Sequence, residues 1–224
     1  MIMINNLTNL ILILILLTGC SETQNLPLNS SKMITAQEIN GRNKEAVYRA
    51  KIPSDWIRKD PLPNDLITDT TKPISEFFIP GENQQQIRIT IHNFPTERPE
   101  DRIPPEAQIA RWKRQFSRLD PSSVQITPQA YSGFSGFLFE GSGLITDAYT
   151  AMIGWAMQLA PEHFSVLSAK IQMSPPQEAQ DLYQMRSDFT IKATGPKLLM
   201  EKHRRDIINF ATSFELIHEI PEKV

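Results

Sequence analysis

Residues 148–159 read Ala-Tyr-Thr-Ala-Met-Ile-Gly-Trp-Ala-Met-Gln-Leu. In an extended chain successive side chains point to opposite faces. Tyr149, Ala151, Ile153, Trp155, Met157 and Leu159 therefore share one side, and Ala148, Thr150, Met152, Gly154 and Ala156 the other. Neither side is polar. One is bulky and the other is small. A half-buried strand alternates apolar with polar residues, so this pattern predicts a strand covered on both faces, with a bulge near Gly154 as the alternative. Such a strand belongs inside a layered fold.

The neighbouring stretches supply the layers. Ile87, Ile89 and Ile91 alternate with Arg88, Thr90 and His92, the pattern of a half-buried strand. Residues 46–52, 77–79, 123–131, 133–141 and 163–173 also read as strands, and Phe189, Ile191 and Ala193 alternate up to Gly195-Pro196. Two segments read as helices. Ile109, Trp112, Phe116 and Leu119 recur at helical spacing behind Pro104-Pro105, with Arg111, Lys113, Arg114 and Arg118 mostly on the opposite side. Between Lys197 and Phe214, the residues Leu199, Ile207, Phe210, Ala211 and Phe214 line one stripe. A short helical piece is expected after Pro175-Pro176. Connections between strands are short, so the sheet is expected to be mainly antiparallel and covered by helices, an α+β fold. The domain is expected over residues 46–218, a usual size for one folding unit. Residues 219–224 read as a loose tail, and the polar stretch 20–45, which lacks hydrophobic periodicity, reads as a flexible tether.

The 224 residues include 23 basic and 25 acidic ones, for a net charge of −2. This balance argues against a nucleic-acid partner, which selects a basic surplus. A single cysteine, Cys20, rules out an internal disulfide and a thiolate metal cluster.

Residues 1–21 carry no charged side chain, and Leu10 through Leu17 is an unbroken aliphatic run followed by Thr18, Gly19 and Cys20. An apolar run closed by small residues is the pattern of a signal peptide, and it is far short of the ~20 apolar residues that span a bilayer. Leu17-Thr18-Gly19-Cys20 resembles the lipobox of bacterial lipoproteins. The resemblance implies removal of residues 1–19 and acylation of Cys20, making the cell envelope the expected location and a membrane the first partner. Ser21, where an aspartate would signal inner-membrane retention, leans toward an outer membrane.

A second resemblance runs along the domain. Ala110-Arg111-Trp112-Lys113-Arg114-Gln115 is similar to the "RW..Q" helix of a group of exported bacterial lipoproteins. Gly133 to Gly141 is similar to their hairpin strand, and Asp188 to Pro196 with Phe210-Ala211-Thr212-Ser213-Phe214 to their closing strand and helix. Ile52-Pro53-Ser54-Asp55-Trp56 resembles the opening of PsbP-like domains. That family implies an α/β/α sandwich serving as a binding or assembly module.

Catalytic constellations fare poorly. Gly133-Phe134-Ser135-Gly136-Phe137 lacks the glycine that a nucleophile elbow places two residues after its serine. His92, His163, His203 and His218 show no metal-ligand spacing. Asp65, Asp69, Glu76 and Glu140 lie near strand ends without a pattern that would pair them for glycoside chemistry. Gly141-Ser142-Gly143 lacks the lysine of a phosphate-binding loop. No cofactor is expected. The leading expectation is a membrane-anchored binding or assembly module with an envelope protein partner, met through Arg111 and Arg114. The alternatives are a carrier of a small apolar ligand lined by Tyr149, Trp155 and Met157, and an enzyme whose site forms only in space.

Overall fold

The computed structural model describes residues 31–37, 46–59 and 71–216. In chain order they form β1 (Ser31–Gln37), β2 (Ala46–Pro53), β3 (Ile57–Lys59), β4 (Ser75–Pro80), β5 (Gln86–Pro95) and α1 (Pro105–Lys113). There follow β6 (Arg118–Leu119), β7 (Gln125–Tyr131), β8 (Phe134–Ile145), β9 (Ala148–Leu159), α2 (Pro161–Met173) and α3 (Pro176–Met185). The last elements are β10 (Ser187–Pro196), α4 (Lys197–Thr212) and β11 (Glu215–Leu216).

Eight strands form one sheet in the order β3-β4-β5-β10-β9-β8-β6, with β7 also paired to β8, and β1-β2-β11 form a small second sheet. Every pairing is antiparallel. The fold is thus an α+β sandwich, a mainly antiparallel sheet with helices on both faces. β9 lies in the middle and is covered on both sides. Its register with β8 and β10 runs without interruption past Gly154, so no bulge forms there.

One side of β9 faces the main core. Ile153, Trp155, Met157 and Leu159 pack there with Ile89 and Ile91 of β5, Phe189 and Ile191 of β10, and Ile52 of β2. Over them lies α4, whose Met200, Ile207, Phe210 and Ala211 are buried on one stripe. Each such aliphatic or aromatic side chain contributes roughly 1.5–3 kcal/mol when fully removed from water. The other side of β9 carries a second, smaller core, in which Ile109, Trp112 and Phe116 meet Phe139, Met152 and Ala156. Its centre is Gly154, where a Cβ atom would lie 2.5 Å from the indole of Trp112. The small side of β9 is therefore the seat of a tryptophan, and only glycine leaves space for it. Gly136 is likewise a close approach within the sheet, since a Cβ there would lie 2.0 Å from the Ala156 carbonyl oxygen.

Four expectations need correction. Residues 163–173, read as a strand, lie in α2. Pro161 opens its first turn, and Phe164 and Leu167 are buried three residues apart, a helical spacing. Residues 31–37, read as part of the tether, form β1, which pairs with β2 from Ser31↔Pro53 to Gln37↔Ala46. Its Met33, Ile34 and Thr35 suit a strand, but the run is too short to show a period among polar neighbours. The helix expected to run to Leu119 ends at Lys113; Phe116 is buried beyond its end and Leu119 falls in β6. Tyr149, placed by alternation on the bulky face, sits at the end of β9 and is 47% exposed. The leader, Cys20, the rest of the tether and the tail lie outside the described residues.

Candidate functional site

The approach of α1 to the sheet is fixed at both ends. Upstream, Arg102 donates from Nε to Asp188 Oδ2 at 3.0 Å and from an Nη to the Leu159 carbonyl at 2.6 Å. Asp188 also accepts from the Leu159 amide at 3.0 Å, and the Arg102 guanidinium lies 5.1 Å from the centroid of the Phe164 ring. This buried pair ties the segment before α1 to β9, β10 and α2. Downstream, Trp112 sits on Gly154. Between these anchors α1 covers β8 and β9 but not β5, and a recess is left beside it.

Cross-strand register lays out the floor of the recess. Glu76, Thr90 and Lys192 form one row that ends at Gly154, under the helix. Arg88 and Thr194 lie in the row on one side, and His92 and Thr190 in the row on the other. All point to the face that α1 covers, because all are in step with Gly154. Just beyond the end of α1, Gln115 accepts a hydrogen bond from Lys192 Nζ at 3.3 Å. Arg111, in the last turn of α1, is exposed.

The electrostatics of the recess are one-sided. Arg88 donates to Glu76, which occupies that carboxylate. Among the described residues no carboxylate meets Lys192 or Arg111. Burial, and after it the charges of Arg88 and Arg111, hold the Lys192 ammonium below the usual lysine value. Burial acts first on His92 as well, followed by Lys192, Arg111 and Arg88, and the imidazole is pushed down to about 4 despite a backbone hydrogen bond involving Thr71. His92 is therefore neutral at pH 7 and stacks on Phe94, ring centroids 6.4 Å apart. Farther along the same seam, Phe94, Ile103, Pro105, Gln108, Met157 and Thr190 line a small open pocket.

The residues singled out from sequence are distributed unevenly over this geometry. Arg111 belongs to the recess. Arg114, at the end of α1, is exposed and is not among the charges acting on His92 or Lys192. Trp155 is fully buried in the main core, and Met157 is buried there while touching the small pocket. Tyr149 lies away from both, its hydroxyl 3.3 Å from that of Ser142. These three do not converge on one cavity. Glu76 and Glu140 stand on opposite faces of the sheet, and Glu140 is held by Arg204 in a two-pronged ion pair at 2.7 and 2.6 Å. Asp65 and Asp69 lie outside the described residues. Ser135 is exposed on β8, and no three described His, Asp, Glu or Cys side chains group to hold a metal. Sequence reasoning missed Arg88, His92 and Lys192. The signal was present in the alternation of Arg88, Thr90 and His92 on β5, but the polar side of a strand carries no mark that distinguishes a recess from open solvent.

No protein-family model matches the chain, and no curated protein matches it. Among solved structures it is similar to cyanobacterial PsbP (CyanoP) from Synechocystis sp. PCC 6803, with a TM-score of 0.47 and 10% identity over 86% of this chain and 95% of that one. It is also similar to LpqN, involved in cell envelope biogenesis of Mycobacterium tuberculosis, with a TM-score of 0.46 and 10% identity over 84% of this chain and 92% of that one.

Proposed function

We propose that the protein is a bacterial envelope lipoprotein, held through an acylated Cys20 with the outer membrane favoured, whose domain is a non-enzymatic binding or assembly module. Its binding face is the recess between α1, β5 and β10. One observation carries the reading. Three cationic side chains, Arg88, Lys192 and Arg111, act on the same neutral histidine, and only one of them has a carboxylate partner among the described residues. Cations placed so that they destabilise one another cost folding energy, and an anionic partner removes that cost. A solvated surface would let them spread apart. The ligand-carrier alternative gains little, because its lining does not assemble: Trp155 is fully buried in the main core, and Tyr149 and Met157 border different pockets.

The anchor is tested on its own. Mass spectrometry of the N-terminal peptide from membrane-purified protein is expected to find a diacylglyceryl Cys20. Cys20→Ser is expected to leave unprocessed or released protein. Normal processing and membrane retention of that variant would contradict the lipoprotein reading. The binding face is tested by in-cell crosslinking of the native, lipidated chain. A partner lost when Arg111 becomes alanine supports it, and capture that is indifferent to Arg111 and Lys192 contradicts it.

A further inference from the structure

The recess has a floor, a wall and a rim of defined chemistry. The floor carries Thr90, Thr190 and Thr194 around Lys192, all on one face of adjacent strands, with Thr90 and Thr190 buried. The Thr90 hydroxyl is spent on the Lys192 backbone carbonyl at 3.5 Å. The wall is Arg111 in the last turn of α1 and Gln115 just beyond its end. The rim is Arg88, more than half exposed and held by Glu76 at one nitrogen. Glu76 cancels one of the three cationic charges, and among the described residues two have no carboxylate partner.

We infer that this recess binds a phosphate-bearing group, with Lys192 and Arg111 as its principal ligands and Arg88 at its rim. The inference rests on the reading of the recess as the binding face. Two features select phosphate over a carboxylate. A phosphate monoester brings about −1.5 to −2 charges and three acceptor oxygens at neutral pH, which matches two uncompensated cations; a carboxylate leaves one of them unmet. The donors are also of two kinds. The guanidinium of Arg111 makes no hydrogen bond within the described residues and presents a planar fork suited to two oxygens. Lys192 offers a point charge on the side of its ammonium away from Gln115. The position of Lys192, half-buried between Arg88 and Arg111, is unfavourable without an anion and favourable with one. The same phosphate monoester chemistry is offered by the headgroup of phosphatidic acid and by a soluble phosphate monoester.

His92 is a built-in reporter. Its imidazole is held down by burial and then by Lys192, Arg111 and Arg88, with Glu76 and the Thr71 backbone the other groups on this side. A phosphate seated among those cations offsets them and lets the imidazole protonate at higher pH. The experiment follows the His92 imidazole by NMR in the membrane-purified full chain across a pH series. Three additions are compared at matched ionic strength: inorganic phosphate, bicelles containing phosphatidic acid, and sodium chloride. The expected result is a rise of the His92 value from about 4 toward its ordinary 6.5 with phosphate or with the anionic bicelles, and none with chloride. Lys192→Met and Arg111→Gln, checked for native spectra, are expected to abolish the rise. A response to bicelles alone assigns a lipid headgroup, and a response to inorganic phosphate assigns a soluble ester; either supports the inference. An equal response to chloride, a response that survives both variants, or no response to either phosphate source overturns it. A partner crosslinked through Arg111 in cells alongside a silent His92 leaves the binding-face reading standing and removes only the phosphate.

Discussion

On one face of the eight-stranded sheet, α4 and β2 close completely over Ile52, Phe77, Ile89, Trp155 and Phe210, all of them 0% exposed. On the other face α1 covers β8 and β9 and stops, leaving Arg88, His92 and Lys192 beside it. Both faces belong to the same strands, and β9 and β10 contribute to each. The closed face converts side-chain volume into stability. The half-open face spends some of it, because half-buried like charges beside a desolvated histidine are unfavourable in the unliganded chain. Under the proposed function, the negative charge of a partner offsets that cost.

The comparison is broken most severely by deleting a tryptophan on the closed face. Trp155→Ala is expected to cost about 3–5 kcal/mol, as for other large aromatic truncations, and to lower the urea midpoint of the whole domain. A mild effect would mean that Trp155 lines a ligand cavity after all. Arg102→Ala is expected to fall in the same range, about 3–5 kcal/mol, because it strands Asp188 as an unpaired buried charge. On the half-open face, Gly154→Ala pushes a methyl into the Trp112 indole, and a loss of about 1–3 kcal/mol is expected from overpacking. Hydrogen exchange sharpens the contrast: amides of α1 are expected to lose protection in the Gly154 variant while those of α4 keep theirs.

Acid titration gives the next effect in size. The folded value of His92 lies below its unfolded one, so its contribution to stability is fully present above about pH 6.5 and is lost as the pH falls toward about 4. After allowance for solvent screening at a partly exposed site, the loss is about 1–2 kcal/mol. His92→Gln is expected to flatten the decline in that window; an unchanged pH profile would show that the recess cations do not act on this imidazole. The smallest effect is the most telling. Arg111→Ala is expected to change stability by no more than about 0.5 kcal/mol, as for exposed positions generally, while abolishing partner capture. A large loss of stability would make Arg111 a structural residue.

Strong periodicity made much of this fold legible. The two apolar sides of residues 148–159 implied layers above and below, and the structure has both. The long stripe of α4 and the Ile87-Ile89-Ile91 alternation were equally clear. Residues 163–173 misled because Phe164, Val166, Leu167, Ile171 and Met173 fit either period over so short a span, and the proline at the first turn decides it. β1 carried too little apolar surface to be seen, since its order comes from pairing with β2. The site was half legible. A basic helix flank pointed to Arg111, but Arg88, His92 and Lys192 come from strands that are distant in sequence and are joined only by register. The candidate lining failed to assemble for a related reason. Alternation put Tyr149, Trp155 and Met157 on one side of a strand, yet a strand of twelve residues runs from the core out to its rim.

The most direct test of the central claim is site-specific photo-crosslinking in living cells from two exposed positions, Gln115 just beyond the end of α1 and Arg205 on the outer side of α4. The account predicts a discrete adduct from position 115 that fades when Arg111 or Lys192 is reversed to glutamate, and no such adduct from position 205. Equal adducts from both positions, or an adduct at 115 indifferent to those charges, would contradict the assignment of the recess as the binding face.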